Sequence, residues 1–190
     1  MRMAMVWRCG VAGVVLMLMC AGGAAHAAVD RAEASLNDLA AEAKRWHAEP
    51  ASDDRAAAMT ELAGEALRRL DQVDDAKAAL ATKPWLTLLA NVGEKFTPEQ
   101  RKALAGELRE VPEFAPDKVA TLPVDRVVDV GEALARLDDA DTAGLLVKTW
   151  IKSGDLNKVD DAMIARLAGL TGRKTGQVQL DDAGTRDAGE

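Results

Sequence analysis

Apolar residues recur every three or four positions along most of this chain, and that rhythm restricts its fold more than any other feature. Between residues 59 and 73 it runs Met59, Leu62, Ala63, Ala66, Leu67, Leu70 and Val73, which places one continuous stripe on the face of a helix. Two-residue alternation has no comparable run, β-branched stretches are nearly absent, and alanine, leucine and charged residues dominate. The fold class is therefore all-α, a multi-helix bundle or short helical-hairpin array of about seven to eight helices.

Start and stop signals divide the rhythm into elements. Asp30 with Glu33 forms a D-x-x-E capping pattern before a stripe of Leu36, Leu39, Ala43 and Trp46, and Pro50 ends that helix. Ser52 caps the long helix that follows. A short helix is expected over residues 75–81, and Pro84 opens another that buries Trp85, Leu88, Leu89 and Val92 and stops at Gly93. Thr97-Pro98-Glu99-Gln100 is the clearest start: a hydroxyl cap, a proline at the first helical position and a glutamine reaching back. Pro112, Pro116 and Pro123 break residues 112–123 into loop and a turn of helix, a candidate hinge. Two further stripes end with Leu137 and Trp150, and Gly154 closes the second. Asn157 is expected to cap a last helix that stops at Gly172.

The two ends read differently from this body. Arg2 and Arg8 precede an apolar run, Val11 to Cys20, and then small residues ending Ala25-His26-Ala27, the order of a Sec-type signal peptide cleaved after Ala27. Residues 28–172 then form one all-helical domain, exported to the periplasm or cell exterior, with no stable membrane span after cleavage. Residues 173–190 are polar and rich in Gly and Asp, and read as a disordered tail. Both cysteines, Cys9 and Cys20, fall in the leader, so the mature chain holds together by packing alone. The leader carries two of the 24 basic residues and none of the 31 acidic ones, which leaves 22 against 31 and a net charge of −9. An acidic surface without a basic stripe argues against nucleic acid as a partner.

Candidate chemistry is sparse. His47 is the sole histidine outside the leader, beside Glu49 at a helix end, where an imidazole interacts with the negative end of the dipole. Ser35, Ser52 and Ser153 are the serines, none in a G-x-S-x-G turn. Asp53-Asp54, Asp74-Asp75, Asp138-Asp139 and Asp160-Asp161 fall at expected helix starts, where negative charge suits the dipole. Asp139, Asp141 and Gly144 fit three places of an EF-hand loop, but Ala143 and Trp150 occupy two ligand places. No cofactor motif, metal set or catalytic group emerges. Trp46, Trp85 and Trp150 each lie on an apolar stripe as core anchors, and they are the residues that would contact a ligand or partner if the helices enclose a groove.

Three local patterns complete the reading. Gly64-Glu65-Ala66-Leu67 echoes Gly131-Glu132-Ala133-Leu134, and Lys-x-Trp occurs at Lys44, Lys83 and Lys148, which would suit a duplicated hairpin. Gly154-Asp155-Leu156-Asn157 with Lys158-Val159-Asp160-Asp161-Ala162 resembles a dockerin calcium-binding repeat without the central acidic ligands, so calcium binding does not carry over. Phe96-Thr97-Pro98-Glu99-Gln100 is similar to the L-T-x-x-Q motif of small periplasmic chaperones of the Spy type, with Phe96 in place of leucine. Neither resemblance covers a tenth of the chain. The expectation is an exported, non-enzymatic helical interaction or scaffold module whose partner is another envelope or extracellular protein. The alternative is a binding module or chaperone-like protein with apolar ligands or unfolded clients in a helical groove, and an acid-pair hydrolase is the remote third.

Overall fold

Five of the helices described below start on a short polar side chain that satisfies an unpaired N–H group of the first turn. The computed structural model describes residues 31, 34–153 and 156–172. The expected signal peptide, the tail and Gly154 lie outside them. Nine α-helices are present among the described residues: α1 (Leu36–Ala48), α2 (Asp53–Leu70), α3 (Ala76–Leu80), α4 (Lys83–Val92), α5 (Pro98–Arg109), α6 (Pro116–Val119), α7 (Val124–Arg136), α8 (Ala140–Ile151) and α9 (Asp161–Thr171). Short 3₁₀ turns cover Gly93–Lys95, Pro112–Phe114 and Leu156–Lys158, and no strand occurs among the described residues. The all-α class is as expected. The count exceeds about seven to eight by the turn of helix in residues 112–123, which is the four-residue α6.

Ser52 caps α2 by accepting from the Arg55 N–H, Asp75 caps α3 through the Ala78 N–H, and Thr97 with Gln100 forms a reciprocal capping box on α5. Two expected caps are corrected. The first helix begins five residues past the Asp30 cap position, because Ser35 and Asp38 form their own capping box. The last helix is capped by Asp160, whose carboxylate accepts from the Met163 N–H at 2.7 Å, while Asn157 lies in the preceding 3₁₀ turn. Asn157 is already committed to a turn, and a carboxylate three residues on is the stronger acceptor near the dipole.

α4 and α7 form the centre. α4 buries Trp85, Leu86, Leu88, Leu89 and Val92, and packs against α1 on one side and α7 on the other. α7 buries Val127, Val128, Val130, Ala133 and Leu134, meets α8 along its length and is closed over by α9. The result is one contiguous apolar cluster. Small residues set how close the helices come. At Gly131 an added Cβ would lie 2.8 Å from Leu170 Cδ1 of α9, so this glycine marks a tight crossing. Gly64, its counterpart in the sequence echo, has nothing within 4 Å. The two echoed segments thus have unlike surroundings.

The proline-broken stretch 112–123 is fastened at several points. Phe114 and Val119 are buried, Arg126 lies over the Phe114 ring and bonds Glu113 at 3.0 Å, and the Leu122 carbonyl accepts from Trp150 Nε1 at 2.9 Å. Between α7 and α8 the chain turns on Asp138, whose φ of 62° is left-handed. Its carboxylate reaches Arg101 Nε of α5 at 2.7 Å.

Arg69 secures the start of the described chain. Its Nη2 donates to the Arg31 and Ala34 carbonyls at 2.8 and 2.6 Å, and its Nε meets Glu65 at 2.6 Å. The bonds from Arg68 and Arg69 hold the Glu65 carboxyl down to about 2, against an ordinary 4.5. A carboxyl depressed by folding stabilises the fold above its unfolded value and loses that contribution as pH falls through the folded one. Replacement Glu65→Gln should therefore cost about 1–2 kcal/mol in urea denaturation at pH 7. The deficit should shrink below pH 4.5 and vanish as pH approaches about 2.

Glycine positions give a second check. Gly64→Ala on exposed helix surface should stabilise by about 0.5–1 kcal/mol. Gly93→Ala should destabilise, because the new Cβ would meet the Arg136 Cγ at 3.0 Å and its carbonyl oxygen at 3.1 Å. Thermal melts of the two variants should shift in opposite directions.

Candidate functional site

A chain built from small aliphatic side chains leaves few places where chemistry can collect, and two surface depressions stand out. The first is a polar cleft of about 570 Å³ where the end of α1 meets α4 and α7. His47, Asn91, Glu132 and Arg136 face it, with Ala90, Ala135 and Leu170 as its apolar part. Arg136 sits in the last turn of α7. Its Nε donates to the Ala90 carbonyl at 3.1 Å, its Nη1 pairs with Glu94 at 3.3 Å, and its Nη2 lies 3.5 Å from His47 Nε2.

His47 is in the last turn of α1, as the dipole argument expects, and it also faces a guanidinium from a distant helix. Its Nδ1 is buried without a hydrogen-bond partner. Glu132 is held by Arg166 through two parallel bonds of 2.8 Å, a bidentate pair between α7 and α9. One turn earlier, Asp129 has one oxygen 3.6 Å from Arg166 and the other buried with no partner. Burial pushes its carboxyl above the ordinary range, partly offset by Lys83 and Arg166. Asn91 donates to the Thr87 carbonyl of its own helix at 2.7 Å. The charged groups of this cleft are thus engaged in tying helices together, and its lining contains no hydroxyl or thiol to act as a nucleophile.

The second depression is an apolar groove of about 200 Å³ between α8 and the proline-broken stretch. Leu108 and Leu134 line it from α5 and α7, and Phe114, Pro116 and Val119 form one wall. The other wall is Thr142, Leu145, Leu146 and Thr149 of α8, four residues at i, i+3, i+4 and i+7. Arg109 closes one end, 3.4 Å from Asp139. Leu145 is 63% exposed, whereas among the described residues the other large apolar side chain counted as exposed, Val73, reaches 39%.

The three tryptophans line neither depression. Trp85 and Trp150 are 4% and 5% exposed core residues on α4 and α8. Trp46 is half-buried at the surface, with its Nε1 donating to Glu42 at 3.3 Å and Arg45 over its ring. Sequence reasoning therefore found the aromatic anchors but missed Leu145, Arg136 and Asp129. Among the described residues, no cluster of three or more His, Cys, Asp or Glu is placed to hold a metal ion, and no helix is long and apolar enough to cross a membrane. Comparison with known protein families, curated proteins and solved structures finds no match to this chain.

Trp150 should behave as a structural residue. Trp150→Phe removes the donor that satisfies the Leu122 carbonyl, and should cost about 1–3 kcal/mol in denaturant melts through an unpaired acceptor and a partial void.

Proposed function

We propose that this protein is an exported, non-enzymatic interaction module that docks a helix of a partner protein at the groove beside α8. The observation that carries the reading is Leu145, a large apolar side chain 63% exposed on the rim of an apolar groove. Leaving such a side chain in water forgoes about 1.5–3 kcal/mol that burial would supply. An exposed leucine bordering an apolar groove offers an apolar side chain of a partner a place to be buried.

The size of the groove favours a side chain over a small molecule. Ligand pockets span roughly 300–1,000 Å³, and this groove, at about 200 Å³, suits one or two aliphatic side chains. The wall at i, i+3, i+4 and i+7 of α8 is the pattern by which one helix receives another. Catalysis is less well supported, because the titratable groups of the polar cleft are held in interhelix bonds and its lining offers no nucleophile. Export rests on the order of charges, apolar run and small residues in 1–27, and the envelope or cell exterior is then where the partner resides.

A photoreactive residue at position 145, activated in the cells that make the protein, should form a discrete protein adduct, and the same residue at exposed Lys44 on α1 should not. Equal labelling at both positions, or none at 145, would sink the docking reading. Mass spectrometry of the released protein would locate the leader cleavage in the same samples.

A further inference from the structure

The surface of α8 around Leu145 has a symmetry of its own. Along its exposed side run Asp141, Leu145, Lys148 and Lys152, with acid at one end, leucine in the middle and base at the other. Among the described residues, neither Asp141 nor Lys148 has an ion-pair partner. Thr142 and Thr149 flank the leucine on the groove side, both half-buried and uncharged.

Resting on the docking reading above, we infer that the partner at this groove is a second copy of the same chain, with α8 packed antiparallel to α8 of its partner around Leu145. In an antiparallel pair the residue numbers facing each other have a constant sum. Centring the twofold axis beside Leu145, between positions 144 and 145, sets Asp141 of each copy opposite Lys148 of the other, a sum of 289 in both cases. Both acid–base pairs form at once, and no like charges meet at those positions. A twofold interface also requires knob and hole on one face, because the same patch must serve both partners. Leu145 is the knob, and the groove between α8 and Phe114, Pro116 and Val119 is the hole beside it.

Two features of this surface would be unrelated for any other occupant: the apolar hole admits an aliphatic side chain such as the chain's own exposed leucine, and the acid on one side of that leucine faces the base on the other side of its partner's. The seam is short. Twelve residues of α8 extend about 18 Å, so the contact between two such helices is small. The dimer is accordingly reversible and concentration-dependent.

Sedimentation equilibrium of the purified protein tests this. The wild type should show a monomer–dimer equilibrium. Leu145→Glu should weaken it by at least about tenfold with an unchanged far-UV circular dichroism spectrum, since the side chain lies outside the core. Asp141→Lys and Lys148→Asp should each weaken it by about fivefold, and the double variant D141K/K148D should recover most of the loss. That recovery is specific to self-pairing across a twofold axis. A wild type that stays monomeric, or a dimer indifferent to Leu145→Glu, would overturn the proposal. The photo-crosslink at position 145 then separates the two readings. An adduct of twice the chain mass supports self-pairing, an adduct to a different protein keeps the docking site and removes self-pairing, and a link within one chain to residues 173–190 ends both.

Discussion

The close approach of α4 and α7 is the constraint on which the rest of the molecule depends. α4 is apolar around most of its circumference, and only a helix buried on more than one side can use such a surface. α1 covers one flank, α7 the other, and the remaining helices cover what these leave open. With few aromatic rings and no disulfide in the described part, cohesion comes from many small contacts between leucine, valine and alanine. Small side chains let backbones come near, as Gly131 does under Leu170 and Gly93 does beside Arg136. Such a core loses stability wherever even one methyl group is forced into a tight crossing.

Polar side chains organise the edges of this core. Arg136 and Arg166 each span helices distant in sequence, Arg69 ties α2 to the segment before α1, and each uses two or more N–H groups in defined directions. A guanidinium suits this work because its planar fork can satisfy carbonyls and carboxylates at once while its aliphatic stem packs on the core. The polar cleft is the space left between such ties. One turn before Glu132 of that cleft, Asp129 is a carboxylate largely taken out of water, with only the charges of Lys83 and Arg166 to offset its burial.

What could be read from the sequence was what is local. The Thr97 capping box, the Ser52 cap, the stripe from Met59 to Leu70 and the stop at Gly172 depend on residues within a turn or two of one another, and the structure has them in place, whereas Val73 falls past the end of α2 and is exposed, off the inward stripe. The caps expected at Asp30 and Asn157 fall instead on Ser35 and Asp160, a few residues on, a competition that spacing alone does not rank. Leu145 was passed over because Ala143, Leu146, Val147 and Trp150 already completed an inward stripe on α8. Whether a neighbouring leucine is covered depends on how far the proline-broken segment reaches across it. The Arg136 contacts were equally hidden, since they join positions 42 to 89 residues apart.

Asp138 illustrates how one position can serve two masters. Its backbone takes the left-handed conformation that makes the α7–α8 corner sharp, which glycine would adopt at less conformational cost. Its carboxylate reaches Arg101, and so moors the beginning of α5 to that corner. Glycine would relax the bend and sever the mooring, while a longer or branched side chain would keep neither the ease nor the reach. Aspartate is short enough to tolerate the bend and charged enough to hold the line, so the corner's shape and its anchorage are negotiated within a single residue.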